Sequence, residues 1–259
     1  KKWLCPNFFD HHSGRLIMSV HTYIVRTPRH VILIDTCVGN DKDRPSTPRW
    51  HQQKSFWFRD LEEAGLSPME VDFVLCTHLH VDHVGWNTKL FDGRWVPTFP
   101  NAKYIFHKIE YDHWAEFGGD LGTPGQGAND DCFADSVLPI VEAGQALLVD
   151  GDYQIDNNLW LEPTPGHTLG HVCLRLQSGS GNAVFCGDLM HHPIQSAYPD
   201  WNSRFCADPL RARLTRHRFI DQHAETNTIV LPAHFAFPTA GRIVKMGSCF
   251  RFQGVHDRA

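Results

Sequence analysis

Six residues, His78 to His83, place three imidazoles and one carboxylate in the pattern H-x-H-x-D-H. Neutral imidazole and carboxylate are the ligands that divalent transition metals prefer, and few other roles require so many of them side by side. The alternative is a polar loop that happens to be rich in histidine. Since the segment directly follows the mainly apolar run 71–77, we predict a metal site at the end of a buried strand.

Three other positions place a ligand-type residue at a turn or at the end of an apolar run. His167 lies in the tight turn P-G-H-T, Asp188 follows the run 183–187, and His234 follows the run 230–233. A lone residue of this kind is more often a capping or hydrogen-bonding residue. Together with H-x-H-x-D-H, however, these three complete two sets of three or four ligands.

The elements that must position these residues alternate between strands and helices. The run 71–77 is apolar nearly throughout, which predicts a central strand buried on both faces. Residues 67–70 form the capping-box pattern S-P-M-E, which predicts one short helical turn before that strand. The aromatic stretch 86–100 is interpreted as a loop over the site, and the glycine-rich stretch 118–127 as a mobile connection.

A helix is predicted to begin at Asp208-Pro209, because Asp can cap a helix and Pro fits its first position. The residues that share one face of that helix are Leu210, Leu214, His217, Ile220 and Ala224.

The bulk composition restricts the class of protein. At 259 residues the chain is predicted to be a single domain over 1–259, and 42% hydrophobic with 20% charged residues is ordinary for a soluble globular protein. The net charge is −5 and no Lys/Arg block is present, which argues against a nucleic-acid partner. No apolar stretch reaches 18 residues, so no membrane span is expected.

The eight cysteines are scattered and form no C-x-x-C pair, which favours free thiols in a reducing compartment and hence the cytoplasm. An even count leaves disulfides formally open. The chain begins at Lys1 without Met, so a removed signal peptide also stays open. We expect a small molecule as the partner, with a homodimer compatible with the sequence.

The order H-x-H-x-D-H, P-G-H-T, G-D and a late A-H resembles the metallo-β-lactamase-fold hydrolase superfamily, over nearly the whole chain from Ser19 to His234. The resemblance implies an α/β fold, a four-layer αββα sandwich with mixed sheets, and two divalent metals at one edge between the sheets. Asp35 matches a position that usually supports the metal ligands from behind. The residues that the resemblance assigns to the metals are His78, His80 and His167 for the first, Asp82, His83 and His234 for the second, and Asp188 as the bridge.

Two metals about 3.5–4 Å apart can share a hydroxide and lower the pKa of its parent water to about 7. We therefore predict a binuclear hydrolase in which this hydroxide attacks a small, largely apolar ester. Asp82 can orient the hydroxide or pass a proton to the leaving group, and Asp188 holds both metals. Zinc is the default metal for such ligands, although Mn, Fe or Co would satisfy them equally.

Within the superfamily, the segment 187–191 and the tail after His234 are similar to the lactonase and methyl-parathion-hydrolase-like groups, which predicts a lactone or carboxylic ester as the substrate. Acyl-homoserine lactonases typically carry Tyr three residues after the bridging Asp. Here that position holds His191, and we predict that His191 or His192 replaces the tyrosine as an oxyanion donor or general acid. The side chains predicted to line the substrate pocket are Trp86, His192 and Phe235.

Two other interpretations stay open. An organophosphate triester hydrolase would use the same ligands. A di-iron oxidoreductase on this fold is the alternative from another class, but the flavin-coupled kind normally has Glu where His80 stands, together with an attached flavodoxin domain. A metal-binding scaffold without catalysis is disfavoured by seven intact ligand positions.

Overall fold

The computed structural model describes residues 2–117 and 130–255. The chain divides into two compact units, one formed by Lys1–Val20 with Gly151–Ala259 and the other by His21–Asp150. The single domain expected over 1–259 stays a prediction. The glycine-rich connection predicted at 118–127 lies outside the described residues.

Strands dominate the described chain. They are β1 (Phe9–Asp10), β2 (Arg15–Leu16), β3 (Tyr23–Arg26), β4 (Val31–Ile34), β5 (Phe73–Leu75), β6 (Thr88–Phe91), β7 (Arg94–Pro97), β8 (Lys103–His107), β9 (Ala146–Val149), β10 (Gln154–Asp156), β11 (Leu159–Pro163), β12 (Val172–Ser178), β13 (Gly181–Gly187), β14 (Ile229–Pro232), β15 (Gly241–Met246) and β16 (Cys249–Gly254).

The α-helices are mostly short. They are α1 (Trp57–Glu63), α2 (Val81–Val84), α3 (Lys108–Phe117), α4 (Cys132–Ser136), α5 (Leu138–Glu142), α6 (Ile194–Ala197) and α7 (Pro209–His223). Single 3₁₀ turns occur at Lys2–Leu4, Pro68–Glu70 and Gly85–Asn87. In the described ranges, no helix combines the length and apolar character needed to cross a membrane.

The unit His21–Asp150 contains a five-stranded sheet in the order β3-β4-β5-β8-β9. The β3–β4 pair is antiparallel, whereas β4, β5, β8 and β9 run parallel. Because parallel strands end at the same edge of a sheet, the residues after β4 and β5 lie near one another. Asp35 and the H-x-H-x-D-H segment are therefore neighbours despite their separation in sequence.

The other unit contains a seven-stranded sheet in the order β10 to β16. β13 and β14 run parallel, and the two antiparallel pairings of β12 bring β11 into the same direction as β13. β11, β13 and β14 consequently all end at one edge. The residues that come after them include His167, Asp188 and His234.

Each unit has its own apolar core. Leu33, Val74 and Phe106 belong to the core of the unit His21–Asp150. Val184, Val230 and Phe235 belong to the core of the other. The strand before His78 is packed on both of its faces, so nearly all of its residues are apolar. This is why the sequence pattern predicted it as a buried strand.

The structure corrects two sequence predictions. The stretch 86–100, interpreted as a loop, contains the hairpin β6–β7, whose turn residues Asp92 and Gly93 both have positive φ. The pair Asp-Gly is a strong signal for such a turn. Helix α7 begins as predicted, with Asp208 accepting a hydrogen bond from Arg211 N at 2.9 Å, but the face on which its leucines recur is not the buried one. Leu210 and Leu214 are exposed, while the buried residues are Ala212, Thr215, Arg216, Phe219, Ile220 and His223.

A buried charge cluster in the unit His21–Asp150 gives stability a pH dependence. Lys42 and Arg44 are both fully buried and share the carboxylate of Asp135, with Arg44 Nη1 at 2.7 Å and Lys42 Nζ at 3.3 Å. Burial lowers the pKa of Lys42 to about 7. Between pH 7 and 10.5 the unfolded chain therefore holds a proton that the native chain has lost, so Lys42 makes stability rise with pH in this window.

We expect Lys42→Met to remove that rise. Between pH 7 and pH 9 the free energy of unfolding of the wild type should increase by about 2 kcal/mol relative to the variant, since one bound proton is involved. Urea unfolding at the two pH values measures the difference. Parallel behaviour of the two proteins would show that Lys42 stays charged in the native state.

Candidate metal centre

Asp35 orients two of the predicted ligands in the segment after β5. Its Oδ2 accepts a hydrogen bond from His83 Nδ1 at 2.9 Å, and the carboxylate also accepts from Thr77 N and Thr77 Oγ1. Because the Thr77 hydroxyl proton goes to Asp35, its oxygen accepts from His78 Nδ1 at 3.1 Å. Both rings are thereby left with Nε2 as the nitrogen for a metal, which is the arrangement that metal-binding histidines usually have.

The remaining ligand-type residues of this segment lie beside those two. His80 Nδ1 is 3.0 Å from His78 Nε2. Asp82 is only partly buried, and its Oδ1 lies 3.6 Å from His83 Nε2. A tetrahedral site with bonds of about 2.0–2.1 Å would separate its donors by about 3.4 Å. The spacing within each of these two pairs is thus close to that of two ligands of the same ion.

The turns after β11, β13 and β14 converge on the carboxylate of Asp188. His167 Nε2 lies 3.2 Å from Asp188 Oδ2, and His234 Nε2 lies 3.0 Å from Oδ1. The other nitrogen of His234 faces the carbonyl oxygen of Ser19 at 2.9 Å, so it must carry a proton. His234 Nε2 consequently presents either a second proton or a lone pair to the carboxylate, and a lone pair at this distance requires a cation between the two groups.

His191 is the third imidazole at Asp188. Its Nε2 lies 3.1 Å from Asp188 Oδ2, and its ring stacks on that of His234 at 5.8 Å between centroids. Apart from this close approach to Asp188, which lacks hydrogen-bond geometry, neither ring nitrogen has a partner in the described part of the chain, although the side chain is only 11% exposed. A buried polar ring without a partner is costly unless a ligand engages it.

Ligand-type side chains occur in both units, four in the segment 78–83 and three in the turns of the other unit. Imidazoles and carboxylates in such numbers fit a divalent transition metal such as zinc. Asp188 contacts both His167 and His234, whereas its predicted role as a bridge stays a prediction. The four are His78, His80, Asp82 and His83, and the three are His167, Asp188 and His234.

Three supporting residues were missed by the sequence analysis. Glu110 Oε1 accepts from the backbone N of Leu79, between two predicted ligands, at 3.1 Å. His171 Nε2 accepts from Asp188 N at 3.0 Å, and Arg216 donates to the carbonyl of Leu189 at 2.9 Å. No local pattern distinguishes these residues, because each acts across many positions in sequence.

The residues predicted to line a substrate pocket have other contacts. Phe235 is fully buried in the core, where it packs edge-on against Phe8 and Phe252, and its role as a pocket wall stays a prediction. His192 uses both ring nitrogens on the backbone, at Phe8 O and Ile194 N, and burial lowers its pKa. The prediction that His192 lines the pocket stays a prediction.

Trp86 is buried in an aromatic cluster. Its ring stacks on Trp57 at 5.4 Å between centroids and meets Phe58 edge-on at 4.5 Å. The prediction that Trp86 lines the pocket stays a prediction.

Residues 17–234 match the sequence profile of the metallo-beta-lactamase superfamily. The chain belongs to this superfamily. The match spans every predicted ligand and confirms the family expected from the motifs. Among solved structures, hydrolase AbOPH of the beta lactamase superfamily has a TM-score of 0.80 at 24% identity, over 96% of this chain and 84% of that one. The likeness confirms the predicted metallo-β-lactamase fold, with its mixed sheets.

Other relatives of this superfamily member come from several sources. A probable metallo-hydrolase of Mycobacterium bovis is 26% identical over 66% of this chain, which spans only 57% of that protein. The N-acyl homoserine lactonase AiiA of Bacillus thuringiensis is 24% identical over 66% of this chain and 64% of its own length. AidC, described as a dizinc quorum-quenching lactonase, has a TM-score of 0.72 at 23% identity, over 93% of this chain and 81% of that one.

Exchanging the Asp35 carboxylate for an amide should weaken metal binding. Asp35→Asn removes the anion that holds His83 and Thr77, and losing such a support typically lowers metal affinity 10–100-fold. Competition with a chromophoric chelator measures the affinity. Asp72→Asn is the matched control, since Asp72 accepts from Val31 N at 2.7 Å at the opposite end of the same strands. Equal affinities in both variants would contradict the orienting role of Asp35.

Proposed function

We propose that this chain is a binuclear metal-dependent hydrolase of small, largely apolar esters, with a lactone or carboxylic ester as the first choice of substrate. The observation that carries the proposal is the convergence of three imidazole nitrogens at 3.0–3.2 Å from the Asp188 carboxylate. The proton on His234 Nδ1 leaves a neutral ring with a lone pair on Nε2, which a metal ion can accept. The donor sets support two divalent ions, with zinc as the first candidate.

Divalent metals bound there would supply Lewis acidity toward the ester oxygen and a water of lowered pKa. Two side chains of the protein would donate a hydrogen bond to the substrate and transfer a proton. His191, buried and without a protein hydrogen-bond partner in the described chain, is placed to donate to an oxygen of the substrate. Asp82, whose side chain is 15% exposed, is accessible enough to hold and pass a proton.

The nature of the substrate is supported by the relatives and by one departure from them. Lactonases of Bacillus thuringiensis are similar in sequence, which favours a lactone. His191 stands where acyl-homoserine lactonases typically carry tyrosine, so the oxygen of the substrate would meet an imidazole instead of a phenol. This difference keeps an organophosphate triester as the second candidate.

The compartment and the partner are proposed on similar grounds. All eight cysteines are free thiols in the structure, which supports a reducing compartment such as the cytoplasm. The proposed partner is a small-molecule substrate, with a homodimer as the proposed assembly.

A hydrolysis panel tests the proposal. Protein loaded with Zn²⁺ or Mn²⁺ is assayed on homoserine lactones, aryl esters, phosphotriesters and a β-lactam. We expect turnover of at least one lactone or ester and none of the β-lactam. Inactivity on every compound, together with oxygen uptake by an iron-loaded form, would replace the hydrolase by the di-iron oxidoreductase alternative.

A further inference from the structure

Two aromatic rings are displayed on the surface of the loop that follows α6. Tyr198 and Trp201 stack with their ring centroids 4.8 Å apart and their planes within 17° of each other. Each is about half exposed, at 53% and 54%. Single exposed apolar side chains are ordinary, but a stacked pair of this size presents a continuous apolar surface.

Hydrogen bonds from buried side chains fix the backbone of the loop that carries these rings. Arg216 of α7 is 1% exposed, and its Nη1 donates to Pro199 O at 2.7 Å and to Trp201 O at 3.0 Å. Asn202 accepts from the same group at 3.2 Å and donates to Pro209 O at 2.7 Å. Burying a guanidinium among carbonyl oxygens is costly, which indicates that the shape of the 198–202 loop matters.

The same side chains attach the 198–202 loop to the turn that carries Asp188 and His191. Arg216 Nε donates to Leu189 O at 2.9 Å, directly after Asp188. Gln195 Oε1 accepts from His191 N at 2.7 Å, while its Nε2 donates to Trp201 O at 2.7 Å. One side chain thus connects the backbone of His191 to that of Trp201, and the position of the aromatic pair is fixed relative to the ligand turn.

We propose that the Tyr198–Trp201 pair binds the alkyl or aryl group of the ester cleaved at Asp188 and His191, and so sets the preference of the enzyme for chain length. The inference rests on the proposed hydrolase function and names the apolar part of its substrate. Because the loop is already ordered, the rings bind without a further cost of ordering. Each methylene covered by the rings should strengthen binding about fourfold.

A homologous series of N-acyl homoserine lactones and 4-nitrophenyl esters, with acyl chains of four to ten carbons, tests this on the metal-loaded protein. In the wild type we expect KM to fall as the chain lengthens. In Trp201→Ala and Tyr198→Ala the KM for the longest chains should rise at least about tenfold, with less than about a twofold change for the shortest and little change in kcat. Metal content should be unchanged. Ile109→Ala, which removes an apolar side chain of 53% exposure from α3, is the matched control.

The outcomes separate this proposal from the function on which it rests. If the wild type cleaves no compound of the series, the hydrolase proposal fails, and calorimetric titration of the same uncleaved compounds still tests the pair through the chain-length dependence of Kd. The same dependence on chain length in the wild type and in Trp201→Ala would overturn the proposal. If the oligomeric mass of Trp201→Ala also differed from that of the wild type, the rings would instead be a contact between two copies of the chain.

Discussion

Asp188→Ala should lose at least one bound metal and nearly all hydrolytic activity, with kcat/KM reduced by about 10³-fold or more. The Asp188 carboxylate lies within 3.2 Å of the Nε2 atoms of His167, His191 and His234. Without it, these imidazoles converge with no anion to balance a bound cation. A metal contributes several kcal/mol of transition-state stabilisation, and about 4 kcal/mol corresponds to this loss of rate.

Metal content after dialysis, determined by mass spectrometry, is the direct readout for Asp188→Ala. Circular dichroism should show an intact fold, because the residue lies at a strand end and not in the apolar core. Asp152→Ala, at an exposed aspartate, is the control and should keep both metals. An Asp188→Ala protein with the metal content of the wild type would refute the role of Asp188 as a ligand.

Gly166→Ala should be strongly destabilising and should also weaken metal binding. Gly166 has φ +140°, a conformation that is essentially restricted to glycine. An added Cβ would lie 2.8 Å from the carbonyl carbon of Arg211 and closer still to the backbone of Ala212, at the start of α7. Backbone strain and overpacking together should cost about 3–5 kcal/mol, or about 10 °C in Tm.

The metal effect of Gly166→Ala arises from its neighbour. His167 is the next residue, and its carbonyl accepts from Ala207 N at 2.8 Å, just before α7. Pushing the helix away therefore displaces a ligand. Gly179→Ala is the control, because Gly179 also has positive φ but its added Cβ meets open space, and it should cost only about 1–2 kcal/mol. Equal losses in thermal stability for the two variants would show that the contact with α7 is unimportant.

The ligand-type residues at the ends of buried strands could be predicted from the sequence. An apolar run that ends in His78, Asp188 or His234 predicts a strand with a ligand-type residue at its carboxyl end. Parallel neighbouring strands bring these carboxyl ends to the same edge of a sheet. The family pattern added Asp35, which the structure places 2.9 Å from His83 Nδ1. These predictions depend on local patterns, which a single sequence retains.

The residues that hydrogen-bond to the ligand segments from distant positions in the sequence could not be predicted. Glu110 reaches Leu79 from a helix 31 residues away, and Arg216 reaches Leu189 from one 27 residues away. The burial of Phe235 in the core also could not be read from the sequence, where it is simply an apolar residue after a predicted ligand. The leucines of α7 have the spacing of a buried face, yet the helix packs through Ala212 because Gly166 permits a close approach there.

A zinc titration tests most directly whether two divalent metals in this chain support cleavage of an apolar ester. Metal-stripped protein should be titrated with Zn²⁺ while bound metal and the rate of hydrolysis of an N-acyl homoserine lactone and an aryl ester are followed together. We expect binding to saturate at two equivalents per chain and hydrolysis to reach its maximum only with the second. Saturation at fewer than two equivalents, or two bound metals without hydrolysis of either compound, would contradict this expectation.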